Sequence, residues 1–224
     1  MIDSDTRLRV ARGIAKTETE ASQIVFETLK QRGHPDKPPP TISDGWGGIR
    51  EAMLEVYGQV PPDSGRGRPP SLKRPGQDWQ YLQMVKQREN GRVIGTELRV
   101  IYGDEAEVLA LLGQSTSYIE RSNLTSRHFN SRLTRKTLAF SKTIAMHQAA
   151  AVLEDAYYNL VRPHKTLRQE VIAPDRRWLP RTPAMVSALT DHIWTVKDYF
   201  QKYLSLSLTT LNRETIKFWI APTK

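Results

Sequence analysis

Two acids and a crowd of cations are the residues of this chain whose types and spacing can do chemistry. Asp44 ends a short β-type run, Thr41-Ile42-Ser43-Asp44, followed by Gly45-Trp46; Glu120 stands in Ser117-Tyr118-Ile119-Glu120, at the start of a helix-type run. From Glu120 to Arg168, nine Lys/Arg face three Asp/Glu (Glu120, Glu154, Asp155), which is six of the chain's nine net positive charges. A carboxylate heading a cationic run points to a metal-dependent reaction on a polyanion, and nucleic acid is the polyanion such a balance selects. Phosphodiester cleavage by two metals needs carboxylates converging on Mg²⁺ ions about 3.5–4 Å apart. Mg²⁺ prefers hard oxygen ligands, keeps several waters and uses one or two protein carboxylates. A strand end and the first turn of a helix are rigid platforms that leave such an ion an open side.

Each of these residues also has a plainer reading. Asp44-Gly45 is ordinary turn chemistry before a helix, and Ser117 to Glu120 has the spacing of a capping box. His164, in Arg162-Pro163-His164-Lys165 just past a helix end, is in too polar a setting for a core histidine. It meets a phosphate or a carboxylate, or it answers the negative end of the helix dipole.

The elements that must position these groups read as a mixed α/β order. Residues 7–14 alternate, with Leu8 and Val10 on one parity and Arg7 and Arg9 on the other, which predicts a strand with one wet face. Thr17 and Glu20 make a capping box for a helix carrying Ile24, Val25 and Leu29, and Gly33 stops it. After the short strand at 41–44 comes a helix marked by Trp46, Ile49, Met53 and Tyr57, ended by Gly58. Residues 61–76 are rich in Pro and Gly and carry Arg66, Arg68, Lys73 and Arg74, which predicts a mobile basic loop. Two β-type runs between Tyr81 and Tyr102 flank Asn90-Gly91, a strong hairpin signal. A short helix is expected around 104–112, the Glu120 helix after it, then a long amphipathic helix from Ile144 to Leu160 ended by Pro163. Residues 184–204 read as a helical appendage and 205–224 as a tail.

Composition narrows the function classes. A pI near 9.8 lies in the range of nucleic-acid binders. With no cysteine there is neither a disulfide framework nor a thiolate zinc site. No apolar run of about 18 residues and no apolar leader occurs, so membrane spans are not expected and a cytoplasmic location is.

Several separated stretches resemble one known family. They are Ile42-Ser43-Asp44-Gly45-Trp46, Ser115 through Thr125, Arg135-Lys136-Thr137-Leu138-Ala139-Phe140-Ser141-Lys142, and Tyr158 through Leu167. Arg181-Thr182-Pro183-Ala184-Met185 followed by Asp191-His192-Ile193-Trp194 extends the likeness. Together, in this order, they look like the DDE transposases of small bacterial and archaeal insertion elements, in particular the first-numbered insertion-sequence family, over roughly residues 2–200. The resemblance implies a ribonuclease-H-like fold: a mixed sheet flanked by helices, with an inserted β-hairpin and a helical C-terminal appendage. Its boundaries would be a catalytic core at 1–168 carrying an insertion at 61–114, the appendage at 169–204, and the tail.

The same resemblance implies Mg²⁺-dependent cleavage and strand transfer of DNA, with two ions (Mn²⁺ as a substitute) held by an Asp-Asp-Glu trio. By motif, Asp44 matches the second Asp and Glu120 the Glu. Asn123 and Arg127 lie three and seven positions beyond Glu120 and share its helix face. With Arg135, Lys136, Arg162, His164 and Lys165 they are the expected DNA contacts. The family's first Asp sits on an opening strand that would precede Met1, so a truncated copy is expected; Asp3, with Asp5 beside it, is the stand-in candidate within the chain. Expected partners are element-end and target DNA and further copies of the chain on DNA, in a nucleoid-associated protein, with no small-molecule substrate. The competing reading is a catalytically inactive fragment that only binds DNA or interferes with intact transposase; a ribonuclease-H-like nuclease without strand transfer is a third.

Overall fold

The computed structural model describes residues 1–63, 65, 68–112, 117–172 and 176–208. Arg66, Ser115, Thr116 and the tail beyond Leu208 lie outside the described residues. The chain forms two compact units, Ala11–Ser117 and Met1–Val10 with Tyr118–Lys224.

The first unit is a sheet with helices. Helix α1 (Glu18–Gln31) starts where expected, Thr17 accepting the Glu20 backbone N–H on its hydroxyl, and buries Phe26 and Leu29. Strand β1 (Thr41–Asp44) leads into α2 (Gly48–Tyr57), which packs Ala52, Met53 and Tyr57 inward. Strand β2 (Tyr81–Glu89) runs parallel to β1, and β3 (Arg92–Tyr102) returns antiparallel, giving the order β1-β2-β3. The Asn90-Gly91 turn has positive φ at both residues, 48° and 78°. That is the geometry a two-residue hairpin turn matched to strand twist requires. Because β2 also pairs with β1, the hairpin is part of the sheet that carries Asp44. Helix α3 (Glu105–Leu112) follows, its Glu107 N–H bonded to the Asp104 carboxylate at 3.1 Å.

A chain of edge-to-face aromatic contacts fills this core: Phe26 to Tyr57, Tyr57 to Trp79, and Trp79 to Tyr102, with ring centroids 6.4, 6.3 and 5.6 Å apart. Such pairs add to the area that large rings bury. Burial pushes the Tyr57 hydroxyl up to about 12. The segment entering α1 packs tightly on it: a Cβ on Gly13 would lie 1.8 Å from the Ala21 carbonyl oxygen. Gly13→Ala is therefore expected to lower the unit's unfolding free energy by about 1–3 kcal/mol, read from the denaturant midpoint. An unchanged midpoint would mean that this approach is not held in solution.

The second unit is mostly helical. Helix α4 (Ser117–Phe129) carries Glu120 in its first turn and buries Ser122 and Ser126. Helix α5 (Ile144–Ala156) is capped by the Thr143 hydroxyl. It continues as a π-turn over Tyr157–Val161 that buries Tyr158, Asn159 and Leu160. Strands β4 (Gln169–Glu170) and β5 (Trp178–Leu179) form a small antiparallel pair, followed by α6 (Pro183–Val186) and α7 (Val196–Leu208). Leu160, Ala156 and Ala184 are buried together, with Leu8, Trp194 and Tyr199 packed on them.

One expectation needs correction. Residues 7–14 form no strand: only an isolated bridge joins Ile2 to Arg9, and Arg9 is buried, not on a wet face. The segment read as a helical appendage contains α6 and α7, with Ala188 between them at a φ of 56°. Ser117 is the first residue of α4, and Glu120 stands in its first turn. The described residues contain no helix long and apolar enough to cross a membrane.

Candidate nucleic-acid interface

Asp44 closes β1 in register with Met84 of β2, and Ser43 with Gln83. Beneath it lies a buried relay of hydroxyls and an amide. Gln83 Nε2 donates to the Tyr81 hydroxyl at 2.9 Å, Tyr81 and Ser43 hydroxyls are 2.8 Å apart, and Ser43 donates to the Asp44 carbonyl at 2.7 Å. Burial raises the Tyr81 pKa against the bonds from Ser43 and Gln83, and the Asp44 charge raises it further. The relay fixes the backbone on which the acid stands. The exposed Asp44 carboxylate accepts the Trp46 backbone N–H at 3.3 Å, so the turn role anticipated for it is present.

Glu120, Asn123 and Arg127 are all exposed on α4, while Ser122 and Ser126 are buried. Arg135 and Lys136 are exposed in the segment after the helix, Lys136 with φ of 58°. Asp3 is committed locally: its carboxylate accepts the Asp5 and Thr6 backbone N–H groups at 3.3 Å and the Thr6 hydroxyl. Asp44 belongs to the sheet unit and Glu120 to the helical unit. No three His, Asp or Glu side chains gather into a metal-holding group among the described residues.

Arg162 and His164 are brought together in the helical unit, at the end of the π-turn. The Arg162 guanidinium lies over Phe129 at 4.5 Å, and the His164 ring stands edge-on to Tyr158 at 4.5 Å. Arg162 Nη1 and His164 Nε2 are buried and have no hydrogen-bond partner among the described residues. Burial first, then the guanidiniums of Arg162, Arg9 and Arg7, push the His164 pKa down to about 4, against a bond to the Tyr158 backbone that raises it. Lys165 is exposed beside this pair.

Sequence reasoning missed Arg7 and Arg9. Arg7, at φ of 63°, lies over the Tyr118 ring at 3.3 Å. Arg9 is held from all sides. Its Nη1 reaches Glu154 at 2.6 Å and Asp155 at 3.0 Å, and its Nε reaches the Ser122 hydroxyl at 2.9 Å. Nη2 donates to the Ser122 carbonyl at 3.1 Å, and the guanidinium covers Tyr158 at 3.9 Å. Asn159 pairs with the Arg9 backbone like a strand partner, donating to its carbonyl and accepting its N–H, both at 3.0 Å. One residue thereby ties the N-terminal segment to α4, α5 and the π-turn. The alternation around Arg9 carries no sign of this, because Glu154 and Asp155 lie some 145 positions away.

Electrostatically, the end of the π-turn gathers positive charge, with the guanidiniums of Arg162, Arg9 and Arg7 all acting on the His164 ring. No protein-family model matches the chain, and neither a curated protein nor a solved structure does.

Proposed function

We propose that the chain is the catalytic domain of a DNA transposase with a ribonuclease-H-like fold, cleaving and joining phosphodiesters of an insertion element with Mg²⁺. The observation that carries this reading is the pair of buried, unpartnered nitrogens on Arg162 and His164. Arg162 Nη1 is the unmet charged donor of the two, a group whose burial costs about 1–3 kcal/mol or more, and a DNA phosphate is a ligand that would remove the cost and match the chain's basic balance. Asp44 and Glu120 would hold the metal, which when bound supplies activation of the attacking oxygen and stabilisation of the leaving one. Asn123, Arg127, Arg135, Lys136 and Lys165 would position the backbone of the element ends and target, in an assembly of several copies on DNA.

The direct test is Mg²⁺-dependent nicking or joining of element-end DNA by the chain, scored on a gel; joined strands are expected. Binding without any nicking supports the second reading, an inactive DNA-binding fragment. That reading is favoured by the local commitments of Asp3 and Asp44 to turn hydrogen bonds. Absence of both binding and nicking contradicts the proposal.

His164 gives a pH signature. Its folded pKa of about 4 lies below the ordinary 6.5, so the unfolded chain binds the extra proton between those values. Stability is complete above the ordinary value and falls as pH drops through this window. A phosphate accepting from Nε2–H favours the charged ring, so DNA binding takes up a proton. Duplex affinity at fixed salt is expected to rise as pH falls from about 7 to about 5, and His164→Gln is expected to flatten that rise. A wild-type affinity that is constant or falls over this range would contradict the assignment.

A further inference from the structure

A second cationic surface lies on the β4–β5 hairpin. Between Arg162 and Arg181 the chain places six Lys/Arg against two acids, Glu170 and Asp175. The hairpin pairs only Gln169 with Leu179 and Glu170 with Trp178, extended by a bond from the Val171 N–H to the Arg177 carbonyl at 3.0 Å. A ladder so short is marginal by itself, and side chains brace it. The Arg168 and Arg177 guanidiniums lie over the Trp178 ring, at 4.0 and 5.3 Å from its centroid. At the base, Arg181 donates to the Leu167 carbonyl at 2.9 Å and the His164 N–H to the Arg181 carbonyl at 3.0 Å.

The stack on Trp178 has a consequence beyond bracing. A guanidinium lying over an aromatic ring is held in orientation while its N–H edge is left for a partner, and a planar fork so held meets a phosphate with little further loss of freedom. Arg177 has such an acceptor already, the Glu170 carboxylate at 2.9 Å, yet its side chain is 71% exposed and Glu170's 58%. Arg168 is exposed as well, and Ile172 beyond β4 is fully exposed, so none of the described residues covers this end of the hairpin. An exposed ion pair of this kind is weak and yields readily to a phosphate.

We propose that the β4–β5 hairpin is a second DNA contact, apart from the Arg162–His164 pair, in which Arg168 and Arg177, oriented by Trp178, grip phosphates of duplex DNA. The inference rests on the DNA reading above. Glu170 competes for Arg177 until DNA displaces it.

The experiment is duplex DNA binding by the full chain, followed by fluorescence anisotropy across a salt series. Arg168→Gln with Arg177→Gln is expected to reduce the slope of log affinity against log salt by about 1.8, about 0.9 for each phosphate released. Arg168→Lys with Arg177→Lys, which keeps charge, is expected to retain the slope, and thermal melts establish that each variant is folded. Glu170→Gln, which leaves the arginines intact, is expected to raise affinity several-fold. A steep wild-type slope that survives in the Gln pair, with Glu170→Gln unchanged, overturns the hairpin contact and leaves the DNA reading standing. A wild-type chain with no salt-dependent duplex binding overturns the DNA reading itself.

Discussion

Replacing Arg9 by methionine is expected to destabilise the helical unit by about 3–5 kcal/mol, because it strands buried carboxylates without their cation. Arg9 and Glu154 side chains are 6% and 8% exposed, and Asp155 is 22% exposed, so water cannot take the place of the guanidinium. Ser122 loses two donors at the same time. The check is the denaturant midpoint of the helical unit's transition. A companion variant separates charge from packing: Arg9→Met with Glu154→Met removes both buried ends of the tightest pair, and it is expected to recover most of the loss. If Arg9→Met costs under about 1 kcal/mol, in the range of exposed ion pairs, Arg9 is not the tie between the N-terminal segment and α4.

Asp44→Asn and Glu120→Gln are each expected to lower Mg²⁺-dependent nicking about 10³-fold or more. A bound metal contributes several kcal/mol to the transition state of phosphodiester cleavage, and each 1.36 kcal/mol is about tenfold in rate. Both substitutions preserve shape and remove charge. Duplex affinity measured without metal should change little, since neither acid is a DNA contact in this account. A variant that loses DNA binding along with cleavage would place its residue among the DNA-binding groups. Full activity in either variant would remove that acid from the mechanism.

What the sequence made legible was local. Thr17 and Glu20 announce the start of α1 because a cap needs only three residues. Asn90-Gly91 announces the hairpin because positive φ at two successive positions is a demand few residue pairs meet. Thr41 to Asp44 reads as a strand ending in an acid, and it is one. The failures are non-local. Arg9 looked like the wet face of a strand, since its partners are far along the chain and alternation is blind to them. The Gln83-Tyr81-Ser43 relay under Asp44 depends on strand register, which no single stretch of sequence specifies. The π-turn at Tyr157–Val161 escaped because an apolar period near 3.6 does not register one wider turn. That wider turn buries Tyr158 and Asn159, the two residues that receive Arg9.

The candidate site was legible to a similar degree. Glu120, Asn123 and Arg127 are all exposed on α4, as helical spacing required. Arg162 and His164 both lie at the end of the π-turn, and the guanidiniums of Arg7 and Arg9 act on His164 from the other end of the chain, which its own segment gives no hint of.

Mn²⁺ binding to the wild type, Asp44→Asn, Glu120→Gln and the double variant, followed by electron paramagnetic resonance of the free ion, tests most directly whether the two acids serve one cation. If they do, either single substitution abolishes as much binding as both together, because the effects of residues sharing a ligand are not additive. If each single variant keeps binding and the losses simply add, or if none of the four differs, Asp44 and Glu120 do not share a metal and the proposed strand chemistry is wrong.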